Sequence, residues 1–322
     1  MMHYDVFNGD ADGICALLQI RLANPLKTKL ITGVKRDIKL LSQVANQNDV
    51  SGVTALDISM EKNLEPLHAI LEQEIPVFYC DHHRHGDVPA SNCLTALIDL
   101  DAETCTSLLI NKHLNGAFAK WAVVGAFGDN MFVRANALAQ ELGLSDIDVE
   151  FLKELGTLIN YNGYGATLDD LHIAPAELYQ ALRQFDCPLA LRDDKDSPYY
   201  VLKKGYESDY ANVEALTPIQ DSAVAKVFEL PCEAWARRIS GVFGNELANL
   251  APSTAHGVLT LNANGEDYTV SVRAPLSNRT GADEICSSFP TGGGRKAAAG
   301  INQLPVGEKG EFVRRLMEFY AS

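Results

Sequence analysis

Residues 4–13 read YDVFNGDADG. Tyr4, Val6 and Phe7 form a short apolar run that predicts a strand. Asp10 and Asp12 then fall in the turn before an apolar helical segment, Ile14 to Leu22, which Pro25 closes. Two carboxylates therefore meet at the carboxyl end of a strand. Spaced i, i+2 in a tight turn, with Gly9 and Gly13 expected to permit unusual backbone angles, they can converge on a divalent cation that neither would hold alone. The pair also has an ordinary reading, a helix-capping Asp beside a turn Asp. The choice between the two rests on what the other strands bring to the same edge.

The chain has 322 residues, 47% hydrophobic and 21% charged, enough for two domains with proper cores. Its start has no basic segment followed by an apolar core, and no apolar run reaches the length of a membrane span, so a cytoplasmic protein is expected. The seven cysteines (Cys15, Cys80, Cys93, Cys105, Cys187, Cys232 and Cys286) are odd in number and scattered, with no CxxC pair. That spacing speaks against a disulfide framework and a zinc knuckle, and no disulfide partner is expected. The net charge of −15 repels long polyanions outside any local basic patch.

Strand and helix signals alternate through the first half. Strands are predicted at Lys29–Val34, Val53–Ile58 and Pro76–Cys80, with helices at Ile38–Gln47 and Leu64–Leu71. This order predicts an α/β domain with a parallel sheet, which gathers ligands at the carboxyl ends of its strands. The polar residues fall there. Asp57 follows VTAL, and Asp81, His82 and His83 follow VFYC. A helical stretch from Ala119 to Gly125 leads into Phe127-Gly128-Asp129-Asn130, adding a further carboxylate, and helices are predicted at Phe151–Ile159 and Pro175–Phe185.

Residues 186–210 are rich in Asp, Lys, Pro and Tyr without a sustained apolar period, and read as the connection between domains. Beyond them a helix is expected over Ala223–Asn249. Two alternating strands, Val258–Leu261 and Tyr268–Arg273, flank an Asn264-Gly265 turn; SSFPTGGGRKAAAGI and a last helix, Glu308–Tyr320, follow.

Asp10, Asp12, Asp57, His82 and Asp129 together offer hard oxygen donors and one imidazole, a mixture that suits manganese better than calcium or structural zinc. Two ions roughly 3.5–4 Å apart, bridged by Asp57, would share a hydroxide and neutralise charge on a phosphoryl group. Singly, each residue has a plainer role as a helix cap, a core histidine or a loop carboxylate. Gly292, Gly293 and Gly294 let a backbone approach an anion closely, and Arg295 and Lys296 add positive charge beside them. Trp121 and Trp235 lie in apolar helical patterns and read as core residues, and His85 as a weak auxiliary contact.

DADG, LDIS, DHH and GAFGD, in this order and at these spacings, resemble the four motifs of the DHH phosphoesterase superfamily. Residues 258–301 resemble its DHH-associated domain, where a strand ending in Ser-x-Arg (Ser271-Val272-Arg273) precedes a GGGH-x-x-AAG motif, here Gly292 to Gly300 with Arg295 at the His position. Relatives include nano-RNases, 3'-phosphoadenosine phosphatases and single-strand exonucleases. The resemblance implies a parallel-sheet α/β N-terminal domain (1–185), a linker (186–215) and a smaller mixed-sheet α/β C-terminal domain (216–322). It implies a manganese-dependent phosphoesterase acting on phosphodiester or phosphomonoester bonds in short oligonucleotides or small nucleotides. The alternatives are a single-strand-specific exonuclease or a non-catalytic nucleotide-binding regulatory protein, and a homodimer is possible.

The resemblance makes Asp10, Asp12, Asp57, His82 and Asp129 the metal ligands, with the catalytic work on Asp57, His83 and Asp10. His83 would touch the substrate phosphate; Arg273, Gly292, Gly293, Gly294, Arg295 and Lys296 would bind substrate from the second domain. Many members carry a His four residues before the first Asp, where this chain has Val6. Two Mn2+ ions are expected, with one weakly held for want of that His. Arg295 places a permanent cation where the family has His, suited to bidentate binding of phosphate.

Overall fold

A computed structural model describes residues 1–321, which divide into two compact units, Met1–Gly205 and a second beginning at Tyr206. In the first unit the chain runs β1 (Met2–Phe7), α1 (Ala11–Ala23), β2 (Thr28–Ile31), α2 (Ser42–Ala45), β3 (Val50–Leu56), α3 (Leu64–Leu71), β4 (Val77–Asp81) and β5 (Leu94–Ile98). The helices α4 (Thr106–His113), α5 (Ala119–Gly128), α6 (Phe132–Glu141), α7 (Asp146–Asn162) and α8 (Pro175–Leu182) follow. The helix α9 (Pro198–Val213) contains the boundary between units, within the stretch expected to be a linker.

The five strands are parallel in the order β2-β1-β3-β4-β5. The chain leaves β1 toward β2 on one side and returns to β3 on the other, so the sheet has its switch point between β1 and β3. Ligands of open parallel sheets bind outside the carboxyl ends of the strands at such a point. Residues 10–12 and 57 are what this chain places there.

Alternation along β1 sends Tyr4 and Val6 to one face, where they pack with Leu40, Val53, Ala55 and Tyr79. Asp5 points to the other face, where its carboxylate accepts from Arg21 of α1 (Nε 2.9 Å, Nη2 2.5 Å) and from Thr28 Oγ1 (2.7 Å). Helix α1 is buried from Ala11 to Arg21, as expected of a helix apolar on nearly all sides. Small residues let it pack closely against the helical layer: a Cβ on Gly128 of α5 would lie 2.3 Å from Ala11 Cβ, and one on Gly156 of α7 2.3 Å from the Val124 carbonyl. This close packing brings the end of α5, and Asp129 with it, beside the start of α1.

Several expected boundaries shift. The helix expected over 38–47 is reduced to Ser42–Ala45, because the Asn63 side chain donates to the Ile38 carbonyl (2.6 Å) and accepts from Leu41 N–H (3.2 Å), groups a longer helix would use internally. Gly9 and Gly13 do not adopt left-handed angles. They are needed for space, since a Cβ on Gly13 would meet the Asn8 carbonyl at 2.3 Å. The left-handed residue is Asp57, with φ 57°.

The second unit contains β6 (Gln220–Asp221), β7 (Ala225–Leu230), α10 (Ala234–Leu250), β8 (Ala255–Leu261), β9 (Asp267–Arg273), α11 (Ala282–Ser287), β10 (Gly292–Gly294), β11 (Ala298–Pro305) and α12 (Lys309–Ala321). Its mixed sheet runs β10-β11-β9-β8-β7-β6. The helix expected over 223–249 is a strand, β7, followed by α10, with Pro231 between them. Val227, Leu259, Val270 and Ile301 pack on one face of the sheet against Phe312 and Leu316 of α12. Trp121 is fully buried as expected, whereas Trp235 is only half-buried and donates to Glu233. No disulfide joins any of the seven cysteines, and no helix among the described residues is long and apolar enough to cross a membrane.

Candidate metal centre

The turn after β1 makes Asp10 the N-cap of α1, its Oδ1 accepting from Gly13 N–H at 3.0 Å. Its Oδ2 accepts from Lys35 Nζ at 2.5 Å. Burial by itself would raise the Asp10 pKa, but the Lys35 charge outweighs it and holds the carboxyl below the usual carboxylate range. Asp12, fully buried in the first turn, accepts from the amides of Thr106 and Ser107, both at 2.7 Å, at the start of α4. Burial, then the charges of Asp129 and Asp10, push its pKa up to about 6.

Asp57 follows β3 in a left-handed conformation that Asp tolerates better than most residues. Its N–H donates to the Cys80 carbonyl (3.0 Å), and its Oδ1 accepts from Thr106 Oγ1 (3.1 Å). Burial, then Asp12, Asp10, Asp129 and Asp81, raise its pKa well above normal.

His82 follows β4. Its Nδ1 lies 2.9 Å from the Thr104 carbonyl and must carry a proton to bond there, which leaves the lone pair of the neutral ring on Nε2. That Nε2 faces three carboxylates: Asp57 Oδ1 at 3.4 Å, Asp129 Oδ2 at 3.7 Å and Asp12 Oδ2 at 3.8 Å. Ligand atoms of Asp12, His82 and Asp129, and separately of Asp57, His82 and His83, all lie within 4.8 Å of one another. Asp10 belongs to neither group. His83 is 30% exposed, and its Nδ1 lies 2.7 Å from Asp81 Oδ1, so Nε2 is the nitrogen left for a ligand.

This donor set fits a hard divalent cation. Two buried carboxylates, Asp12 and Asp57, and the part-buried Asp129 surround one imidazole nitrogen whose ring proton is held on the far side; burial first, and then repulsion among the acidic groups, raises the pKa of Asp12 and Asp57. Four of the five expected ligands are thus gathered, with Asp10 turned toward Lys35. The sequence reading missed Lys35, Asn160, Thr104, Thr106 and Ser107. Thr106 and Ser107 reach Asp12 through first-turn backbone amides behind an N-cap Cys105, so their side-chain identities carried no signal for that contact.

In the second unit the three glycines form an edge strand, and not a free loop. Gly292 pairs with Ile301 and Gly294 with Ala299, while Gly292 N–H donates to Phe289. A turn from Arg295 to Ala298 follows, with Arg295 N–H donating to the Ala298 carbonyl (2.9 Å). Arg273 lies opposite Ala298 in the ladder, beside this turn. Its guanidinium donates to Asn245 Oδ1 (2.6 Å) and the Gly241 carbonyl (3.3 Å) of α10. The unit's expected basic contacts are therefore neighbours, with Lys296 exposed at the tip.

Solved structures of the same α/β fold resemble this chain along its length. One is the DHH domain of a member of a ribosomal-protein family: TM-score 0.62 at 13% identity, over 99% of this chain and 86% of that one. The exonuclease RecJ bound to manganese gives 0.61 at 16%, over 99% and 90%. The pGpG-specific phosphodiesterase PggH from Vibrio cholerae gives 0.54 at 11%, over 100% and 99%. No protein-family profile and no curated protein matches the sequence.

Proposed function

We propose that this protein is a metal-dependent phosphoesterase that hydrolyses phosphodiester or phosphomonoester bonds in short oligonucleotides or small nucleotides. The observation that carries the reading is the convergence of Asp12, Asp57 and Asp129 on Nε2 of His82, at the switch point of a parallel sheet. Asp12, Asp57, His82 and Asp129 would hold the ion, and manganese suits their oxygen and imidazole donors. When bound, it supplies Lewis-acid polarisation of a phosphoryl oxygen and lowers the pKa of a water.

The protein's own groups do the positioning. Backbone amides of α4 fix Asp12, and the Thr104 carbonyl sets the His82 tautomer. Asp81 holds His83 so that its Nε2 can contact the substrate phosphate or hand a proton to the leaving oxygen. Arg273, Gly292–Gly294, Arg295 and Lys296 are the proposed substrate contacts of the second unit. The neighbours' names support ester hydrolysis on nucleotides, RecJ as an exonuclease and PggH as a pGpG-specific phosphodiesterase.

The net charge of −15 favours the short substrate over the strand. Measuring kcat/KM with Mn2+ for oligonucleotides of two to about twenty residues over a salt series separates the two. A short-substrate enzyme slows as length grows and shows a shallow salt slope. A rate that climbs with length, with a slope near −0.7 for each of many phosphates, returns the exonuclease reading. No turnover with any of them, nor with a 3'-phosphorylated mononucleotide as the phosphomonoester substrate, leaves a nucleotide-binding protein.

A further inference from the structure

We infer that the Lys35 ammonium supplies the second positive charge of this centre, so that the chain takes up one divalent ion and not two. The inference rests on the metal reading above and concerns the count.

Both oxygens of Asp10 are engaged, Oδ1 by Gly13 N–H and Oδ2 by Lys35. Asp10 accordingly lies outside both groups of converging donor atoms. Nor is Lys35 a surface lysine passing by. Its N–H donates to the Gly163 carbonyl (2.7 Å), and its own carbonyl accepts from Asn8 Nδ2 (3.3 Å). Its Nζ also donates to Asn160 Oδ1 (2.9 Å) and lies 5.4 Å from the centre of the Tyr164 ring. An ammonium has three donors. Two of these are bonded in a pocket formed by the β1 turn and the end of α7, and the side chain is only 23% exposed.

A cation seated on Asp10 would have to break the Lys35 pair and leave an ammonium facing only Asn160 and an aromatic ring, a costly outcome for a largely buried charge. Position 6 offers no replacement donor, because Val6 is fully buried in the apolar core. Asn8 is already tied through Nδ2 to the Lys35 backbone. The remaining donors fall in two overlapping groups, one of Asp12, His82 and Asp129 and one of Asp57, His82 and His83, and both draw on Nε2 of His82, whose single lone pair serves one ion.

The test is the metal stoichiometry of the full chain, stripped with chelator and titrated with MnCl2, read by calorimetry and by electron paramagnetic resonance. The wild type should saturate at one Mn2+ per chain with the spectrum of an isolated ion. Lys35→Met keeps the aliphatic stem but frees Asp10; it should admit a second ion and show the spectrum of a coupled pair. Lys35→Arg should stay at one. A wild type that takes two ions overturns the inference, as does a folded Lys35→Met protein that still takes one with unchanged affinity. If Lys35→Met does not fold, the wild-type count decides alone. A wild type that binds no Mn2+ removes the metal reading itself, an outcome distinct from a wrong count.

Discussion

Removing the Asp57 charge should stabilise the metal-free protein and abolish its response to metal. Asp57 lies 3.4 Å from His82 Nε2, and Asp12 and Asp129 lie 3.8 and 3.7 Å from the same nitrogen. Its charge is therefore within about 7 Å of each, and at an effective dielectric of about 20 each pair repels by at least about 2 kcal/mol when both are ionised. Burial and these neighbours push the Asp57 carboxyl toward its neutral form, so part of the repulsion is already relieved. We expect Asp57→Asn to raise the stability of the chelated protein by about 1–3 kcal/mol. Asn tolerates the left-handed angle and keeps an oxygen to accept from Thr106, so neither strain nor a lost hydrogen bond offsets the gain.

Urea denaturation, with and without Mn2+ at about a hundred times Kd, reads both effects. Ligand binding to the native state alone should add about 2.7 kcal/mol to the wild type and almost nothing to the variant. Trp121 is buried in the first unit, so its fluorescence in a Trp235→Phe background follows the unit that holds the centre. A chelated variant less stable than the chelated wild type, with an undiminished Mn2+ shift, would refute the reasoning and leave Asp57 a turn residue.

Three further outcomes follow from other pairs. Arg21→Met strands the buried Asp5 carboxylate and should cost about 3–5 kcal/mol by denaturation, a loss that Arg21→Met with Asp5→Leu should partly recover. His256, 1% exposed and opposite Lys226 and Arg273 in the sheet, has its pKa lowered to about 4, first by burial and then by the Lys226 charge. The unfolded chain takes up that proton near pH 6.5 and the folded one only near 4. The stability of the second unit should therefore fall as pH drops between those values, by up to about 1.4 kcal/mol per pH unit, and His256→Phe should flatten that fall. Arg273→Ala should weaken nucleotide binding by about 1.5–3 kcal/mol with Mn2+ uptake unchanged, measured by calorimetry for both ligands.

The acidic edge of the first sheet was legible because strands buried on both faces read as apolar runs, so their polar residues gather at the ends unless they are paired inside, as Asp5 is with Arg21. That logic located Asp10, Asp12, Asp57, His82 and His83 without any contact being known. It failed where an apolar run was short enough to suit two structures. Ala-Lys-Val-Phe-Glu-Leu at 225–230 satisfies a helical pattern as well as a strand, and the break at Pro231 was the signal that should have divided it from α10. It failed again over Ile38–Gln47, where the side chain of Asn63 takes the backbone groups that a helix would pair. No local propensity carries that competition.

What spacing cannot convey is which charges pair. Asp10 and Asp12 look equivalent in DADG, yet a two-residue step in the first turn of α1 turns one toward Lys35 and Asn160 and the other toward the amides of α4 and His82. The first is neutralised by a cation 25 residues away in the chain. The second is fully buried, and burial, then the charges of Asp129 and Asp10, raise its pKa while the Lys35 charge lowers that of Asp10. Opposite shifts on neighbouring aspartates divide the cluster into a part that the protein's own cation neutralises and a part where burial and like charges favour the neutral acid.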